Sequence, residues 1–144
     1  MSDSLWMQRA IDLASQGRGR TAPNPMVGAV VVREGRCLGS GWHRAAGQPH
    51  AEADALSRID GEARGATMYV NLEPCCHHGR TPPCTDGIIA AGIERLVVGM
   101  VDPDERVRGG GIQKLQEAGI RVEVGLMRDQ CQHLNAAYLK AQEH

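Results

Sequence analysis

A chain of 144 residues, 42% of them hydrophobic, is long enough to bury one core, and we expect a single domain over residues 1–144. A formal net charge of −1, with two Trp, two Tyr and no Phe, argues against an electrostatic or stacking grip on nucleic acid. No apolar run approaches the roughly 20 residues that cross a bilayer, and Met1-Ser2-Asp3-Ser4 lacks the basic and apolar parts of a signal peptide, so the expected location is cytoplasmic, away from membranes.

Asp3 or Ser4 can cap a first helix, with Leu5, Ile11 and Leu13 among its apolar positions and Gly17 near its end. Gly17 to Pro25 is loop, and Pro23 and Pro25 fix the backbone around Asn24. Val27 to Val32 is the near-continuous apolar run of a strand buried on both faces; Glu34-Gly35 turns the chain and Cys37 to His43 returns it. His50 to Ile59 is helical in pattern, with Ala51, Ala55, Leu56 and Ile59 along one side and Gly61 and Gly65 beyond its end. Thr67 to Leu72 reads as a strand that runs into Glu73-Pro74-Cys75-Cys76-His77-His78-Gly79-Arg80-Thr81-Pro82-Pro83-Cys84, a stretch too stiff for helix or strand. A helix over Thr85 to Ala91 stops at Gly92, and a strand over Arg95 to Met100 leads to Asp102-Pro103-Asp104. A helix near Gly111 to Ala118 and a strand at Arg121 to Val124 follow. A last helix, about Arg128 to Ala141, buries Cys131, Leu134 and Tyr138. A hairpin followed by alternating strands and helices predicts an α/β domain, a mixed sheet with helices on both faces. The loops after Leu72 and Met100 then lie at strand C-terminal ends, where open α/β sheets place ligands.

Five cysteines, an odd number with two adjacent, fit reduced thiols better than a disulfide framework. Two thiolates on a stiff loop and an imidazole upstream favour zinc. His50, Cys75 and Cys84 would supply three ligands and leave the fourth position of one zinc ion to water or hydroxide, the catalytic form of such a site. His50 opens a helix and Cys84 precedes one, and a helix N-terminus favours the thiolate. Two thiolates cancel the charge of the ion, so its water is acidified less than at a tris-imidazole site, and a carboxylate to take the proton is wanted. Glu52 is the candidate. Residues i and i+2 do not share a helix face, so Glu52 reaches the site only if His50 sits at the cap. It would then carry a proton from the water to a leaving amine. His-x-Glu with Pro-Cys-x-x-Cys is the signature of zinc deaminases. Here Cys84 lies nine positions beyond Cys75, and Cys76 is badly placed to replace it, so the class fits while the common nucleoside and tRNA subtypes fit less well.

Thr21-Ala22-Pro23-Asn24-Pro25 with Val27-Gly28-Ala29-Val30, Gly41-Trp42-His43, His50-Ala51-Glu52, Leu72-Glu73-Pro74-Cys75, Gly79-Arg80-Thr81-Pro82-Pro83-Cys84 and Asp102-Pro103 resemble the deaminase domain of the riboflavin-biosynthesis pyrimidine deaminase/reductase family, over essentially the whole chain. The resemblance implies a cytidine deaminase-like three-layer α/β/α sandwich with a mostly buried sheet. It implies hydrolytic loss of the 2-amino group of 2,5-diamino-6-ribosylamino-4(3H)-pyrimidinone 5′-phosphate, releasing ammonia. His50, Cys75 and Cys84 match the family's zinc ligands, Glu52 its proton carrier, and Asn24, His43, His77, Arg80 and Asp102 its substrate contacts. Arg80 also has its own logic, a planar donor fork suited to phosphate. A homo-oligomer and a reductase, separate or fused, are the implied partners. Two features depart from the family. Asp104-Glu105 stand where Asn and Pro usually follow Asp-Pro, and their charge would repel a phosphate. The reductase domain usual in bacterial members is missing, which fits either a free-standing deaminase or the N-terminal half of a longer product.

Two other functions compete: another nucleoside, nucleobase or tRNA deaminase of the same fold, and a non-catalytic zinc module closed by His77 or His78. Cys37, Cys76 and Cys131 read as small buried hydrophobes, His78, Arg18 and Arg20 as solvated. Gly109-Gly110-Gly111 lacks the spacing and the Lys of a phosphate loop and reads as a helix lead-in.

Overall fold

The computed structural model describes residues 2–77 and 82–143. Helix α1 (Asp3–Ser15) begins one residue earlier than the sequence predicts, because the Ser2 hydroxyl accepts the Leu5 N–H and serves as the cap. Its inner face is Trp6, Met7, Ala10, Ile11 and Ala14; Leu5, expected among the apolar positions, is exposed. Strands β1 (Gly28–Arg33) and β2 (Arg36–Trp42) form the predicted hairpin, with positive φ at both Glu34 and Gly35. Then come α2 (Ala51–Ser57), β3 (Thr67–Val70), α3 (Cys84–Ala91), β4 (Arg95–Val98), α4 (Gly110–Glu117) and β5 (Arg121–Val124). The single last helix that the sequence predicts is two, α5 (Arg128–Leu134) and α6 (Ala136–Ala141), broken at Asn135.

The sheet order is β2-β1-β3-β4-β5, with β1 antiparallel to both neighbours and β3, β4 and β5 parallel. Side-chain alternation then divides the core in two. Ala29, Val31, Met68, Val70, Leu96 and Val98 face Ala51 and Ala55 of α2, Ile88 of α3 and Leu115 of α4. Val30, Val32, Tyr69 and Val97 face α1 and Cys131 of α5. The result is the expected three-layer sandwich, with β1 buried on both faces. A Cβ at Gly28 would run into the Ala10 carbonyl, so the glycine lets α1 lie directly on β1. Cys131 is buried as expected; Cys37 is exposed on β2, contrary to expectation, because β2 is an edge strand with an exposed start. Among the described residues no helix is long and apolar enough to cross a membrane.

The strand directions decide where loops gather. Gly28 pairs with Trp42, Ala29 with Val70, and Val70 with Val98. The start of β1 and the ends of β2, β3 and β4 therefore share one edge of the sheet.

Candidate active site

Each predicted ligand reaches that edge by a different local device. His50 is the N-cap of α2, with extended backbone, φ −68° and ψ 159°. This is the arrangement in which Glu52, in the first turn, can face the same way. Cys75 follows β3, and Cys84 is the first residue of α3; its backbone N–H donates to Cys75 Sγ at 3.2 Å. His50 Nδ1 lies 3.2 Å from Cys84 Sγ and 3.7 Å from Cys75 Sγ, and the three donor atoms all lie within 4.8 Å of one another. Tetrahedral zinc with ordinary Zn–S and Zn–N lengths separates its S and N ligands by about 3.6 Å, so the donor set and spacing fit that ion. Among the described residues the cluster has no fourth His, Cys, Asp or Glu. His78, one of the two histidines that could close the site, lies outside the described residues, as does Arg80.

The two thiols divide their roles. A hydrogen bond from Cys84 holds Cys75 down at about 4, while the same bond and burial push Cys84 up. The Cys75 sulfur in turn pushes His50 up. Glu52 is 3% exposed, and burial, reinforced by the negative Cys75, raises its carboxyl to about 7. A carboxyl poised there can both accept and return a proton near neutral pH.

Beside this cluster a pocket of about 320 Å³ is lined by Asn24, His43, Glu52, Cys75, His77 and Asp102, so the described residues expected to meet a substrate share one cavity. A cleft of about 450 Å³ between Val101, Val124 and Leu139 holds none of these groups. His43 is buried, and burial pushes its imidazole down towards the neutral form. Its Nδ1–H donates to the Pro49 carbonyl at 3.0 Å, so its Nε2 accepts from Asn24 Nδ2 at 3.2 Å and leaves the Asn24 carbonyl oxygen for a ligand. The His43 ring also meets the His50 ring edge-on, with centroids 5.4 Å apart. His77 Nδ1 is buried without a hydrogen-bond partner among the described residues. Asp102 Oδ1 accepts the Asp104 N–H at 3.0 Å and the Tyr138 hydroxyl at 2.7 Å, which leaves Oδ2 to face a ligand; burial pushes this carboxyl up.

Four supports escaped sequence reasoning. Glu73 is 3% exposed and accepts the N–H groups of Asp102, Gly109 and Ile112 at 3.1, 2.9 and 3.0 Å. It thereby ties the Cys75 loop to the loop after β4 and to the start of α4. The glycine-rich lead-in does bind an anion, but the anion is the protein's own carboxylate. A Cβ at Gly111 would strike the Pro74 carbonyl, so this close approach needs glycine. Asn71 bonds the Gly28 N–H and the Met26 carbonyl, and Asn135 bonds both backbone groups of Met26 at 2.7 and 2.8 Å, fixing the chain next to the Pro23-Asn24-Pro25 loop. Tyr138, read from sequence as a core residue, lines the pocket and directs its hydroxyl to Asp102. The one available signal was chemical: a half-buried tyrosine needs a partner for its hydroxyl.

Residues 1–100 match the family model for the cytidine and deoxycytidylate deaminase zinc-binding region. The chain is 52% identical over 140 residues to the riboflavin biosynthesis protein RibD of Escherichia coli, covering 97% of this chain and 38% of that protein. Its fold superposes on a diaminohydroxyphosphoribosylaminopyrimidine deaminase/5-amino-6-(5-phosphoribosylamino)uracil reductase from Thermotoga maritima with a TM-score of 0.92 and 45% identity, over 95% of this chain and 40% of that one. The Rib2 deaminase of Aspergillus oryzae, at 24% identity and a TM-score of 0.77, shares the fold over 97% of this chain and 96% of its own. The chain thus spans about two fifths of the bacterial proteins it matches.

Proposed function

The chain belongs to the zinc-binding cytidine and deoxycytidylate deaminase family, and from that premise we propose that it hydrolyses the 2-amino group from 2,5-diamino-6-ribosylamino-4(3H)-pyrimidinone 5′-phosphate in riboflavin biosynthesis. Water adds at C2, the C–N bond breaks, ammonia leaves, and the ring keeps a carbonyl. The likeness to the RibD proteins supports this substrate over a nucleoside or tRNA base. The observation that carries the chemistry is a buried carboxyl, Glu52, lining one pocket with His50 and Cys75 of the His50, Cys75 and Cys84 donor set.

His50 Nδ1, Cys75 Sγ and Cys84 Sγ would hold one zinc ion per chain. When bound, zinc supplies a Lewis acid that makes water nucleophilic near neutral pH. Glu52 takes a proton from the attacking water on its carboxylate and returns it to the departing amine. Asn24, His43, His77 and Asp102 orient the ring and ribose, with Arg80 as a further contact to the phosphate. Neutral His43 keeps the Asn24 amide turned one way, so Asn24 Oδ1 is presented as an acceptor. A fused or separate reductase would take the product onward, and a homo-oligomer and a cytoplasmic setting complete the reading.

The test is ammonia release from the ribotide by the zinc-loaded protein. Wild type should turn over, and Glu52→Gln should lose about 10²- to 10⁴-fold in kcat with its zinc retained. Absence of release by wild type overturns the substrate assignment; undiminished release by Glu52→Gln overturns the proton-carrier role.

A further inference from the structure

The loop after β4 carries a charge pair that the chemistry above leaves unused. Asp104 stands where a neutral Asn was expected, and a bare carboxylate at the pocket would repel a phosphate. In the fold this carboxylate is already engaged. Asp104 Oδ1 accepts the Arg106 backbone N–H at 3.0 Å and Arg106 Nε at 3.1 Å, and Oδ2 accepts Arg106 Nη2 at 2.7 Å. The guanidinium holds the Asp104 carboxyl below its ordinary range, so the pair persists as an ion pair. The Arg106 carbonyl accepts the Cys76 thiol at 3.6 Å, one residue from Cys75, which fixes this turn against the candidate metal loop.

Asp104 and Arg106 both line the pocket that contains Glu52. Its described lining holds four carboxylates, Glu52, Glu73, Asp102 and Asp104, and Arg106 is its only Lys or Arg. Nε and Nη2 are bound to Asp104, whereas Nη1 has no bond within the described chain. The Arg106 side chain is 68% exposed, and a guanidinium gripped through Nε and Nη2 keeps its Nη1 edge available to a tetrahedral oxyanion. We propose that Arg106, oriented by Asp104, recognises the phosphate of the substrate and sets the preference for a ribotide over a riboside. Asp104 is then the residue that aims the cation, and the acidic departure from the family's sequence adds an oriented phosphate contact beside Arg80. The proposal rests on the ribotide substrate proposed above.

The test compares wild type, Arg106→Gln and Arg106→Lys on the ribotide and on the dephosphorylated riboside, and titrates ribose 5-phosphate and ribose into each protein. Arg106→Gln should lower kcat/KM on the ribotide by about 10- to 100-fold, the worth of a charge-assisted hydrogen bond, and change it less than about twofold on the riboside. Arg106→Lys should recover part of the loss, and ribose 5-phosphate binding should weaken in step while ribose binding stays as in wild type. An equal loss on both substrates, or no loss on the ribotide, overturns the proposal. Should wild type release no ammonia from either compound, the substrate assignment falls, and the titration still decides this one. Binding of ribose 5-phosphate that depends on Arg106 supports it; binding indifferent to Arg106, or none at all, overturns it.

Discussion

Cys75 and Cys84 are chemically identical and face the same gap, yet the fold treats them differently. Cys75 receives hydrogen bonds from the Cys84 thiol and backbone N–H and is held at about 4; Cys84 is the donor, lies deeper, and is pushed up. Buried Cys131 is raised to about 11 by desolvation alone. In chelator-treated protein at about pH 6, Cys75 is therefore the thiolate, and iodoacetamide should label it well ahead of Cys84 and Cys131. Zinc, held through both sulfurs as proposed, should protect it. Mass spectrometry of the alkylated peptides reads this directly, and equal labelling of Cys75 with and without zinc would remove it from the ligand set. The grouping of His50, Glu52, Cys75 and Cys84 was legible although His50 and Cys84 lie 34 residues apart, because ligand chemistry restricts residue type and His-x-Glu and Pro-Cys are short motifs. Glu73, Asn71, Asn135 and Tyr138 were not, because their partners lie between 29 and 109 residues away and any of these side chains is common on a surface.

Among elements, the strands and the helix order were legible from apolar runs and glycine stops, whereas ends and breaks followed tertiary bonds. Asn135 interrupts the last helical pattern because its side chain is committed to Met26. Helix α1 starts at Asp3 rather than being capped by it, because Asp3 belongs to a cross-sheet cluster. It accepts the Tyr69 hydroxyl at 2.5 Å and Arg95 at 2.7 and 3.1 Å, while Arg95 also binds Glu123 of β5. Arg95 and then Tyr69 hold the Asp3 carboxyl down at about 2 from its ordinary 3.8. The folded value is depressed, so the contribution is present above the unfolded pKa and lost as pH falls from about 4 towards 2. Asp3 is 43% exposed in its side chain, so solvent screening keeps the contribution to the order of 1 kcal/mol. Urea unfolding should find Asp3→Asn less stable by about that amount at pH 7, with the gap closing as wild type is taken down to about pH 3. A gap that is constant with pH would mean that the carboxylate charge does not pin α1 to the sheet.

For the whole molecule, the sheet order matters because it lets distant segments share one cavity without a separate domain. The region matched by the zinc-binding family model ends at residue 100 and contains His50, Glu52, Cys75 and Cys84, the residues assigned to the reaction itself. The remaining chain supplies the opposite wall: Asp102 and Arg106 from the loop after β4, and Tyr138 from α6. Tyr138 reaches across 36 residues to occupy Asp102 Oδ1, which already accepts the Asp104 N–H; Oδ2 has no bond among the described residues, and under the proposed function it is the oxygen that meets substrate. Removing only the hydroxyl leaves α6 packed through Leu139, with Leu134 of α5 beside it, and still held at Asn135. Tyr138→Phe should therefore keep the melting temperature within roughly 4 °C and the zinc content unchanged. It should raise KM by about 3- to 10-fold, near the net worth of one ordinary hydrogen bond, and leave kcat within about twofold. A fall in kcat with KM unchanged would mean that Tyr138 acts on the transition state and not on substrate placement. An unchanged KM and kcat would confine α6 to packing and leave the second wall to the loop after β4 alone.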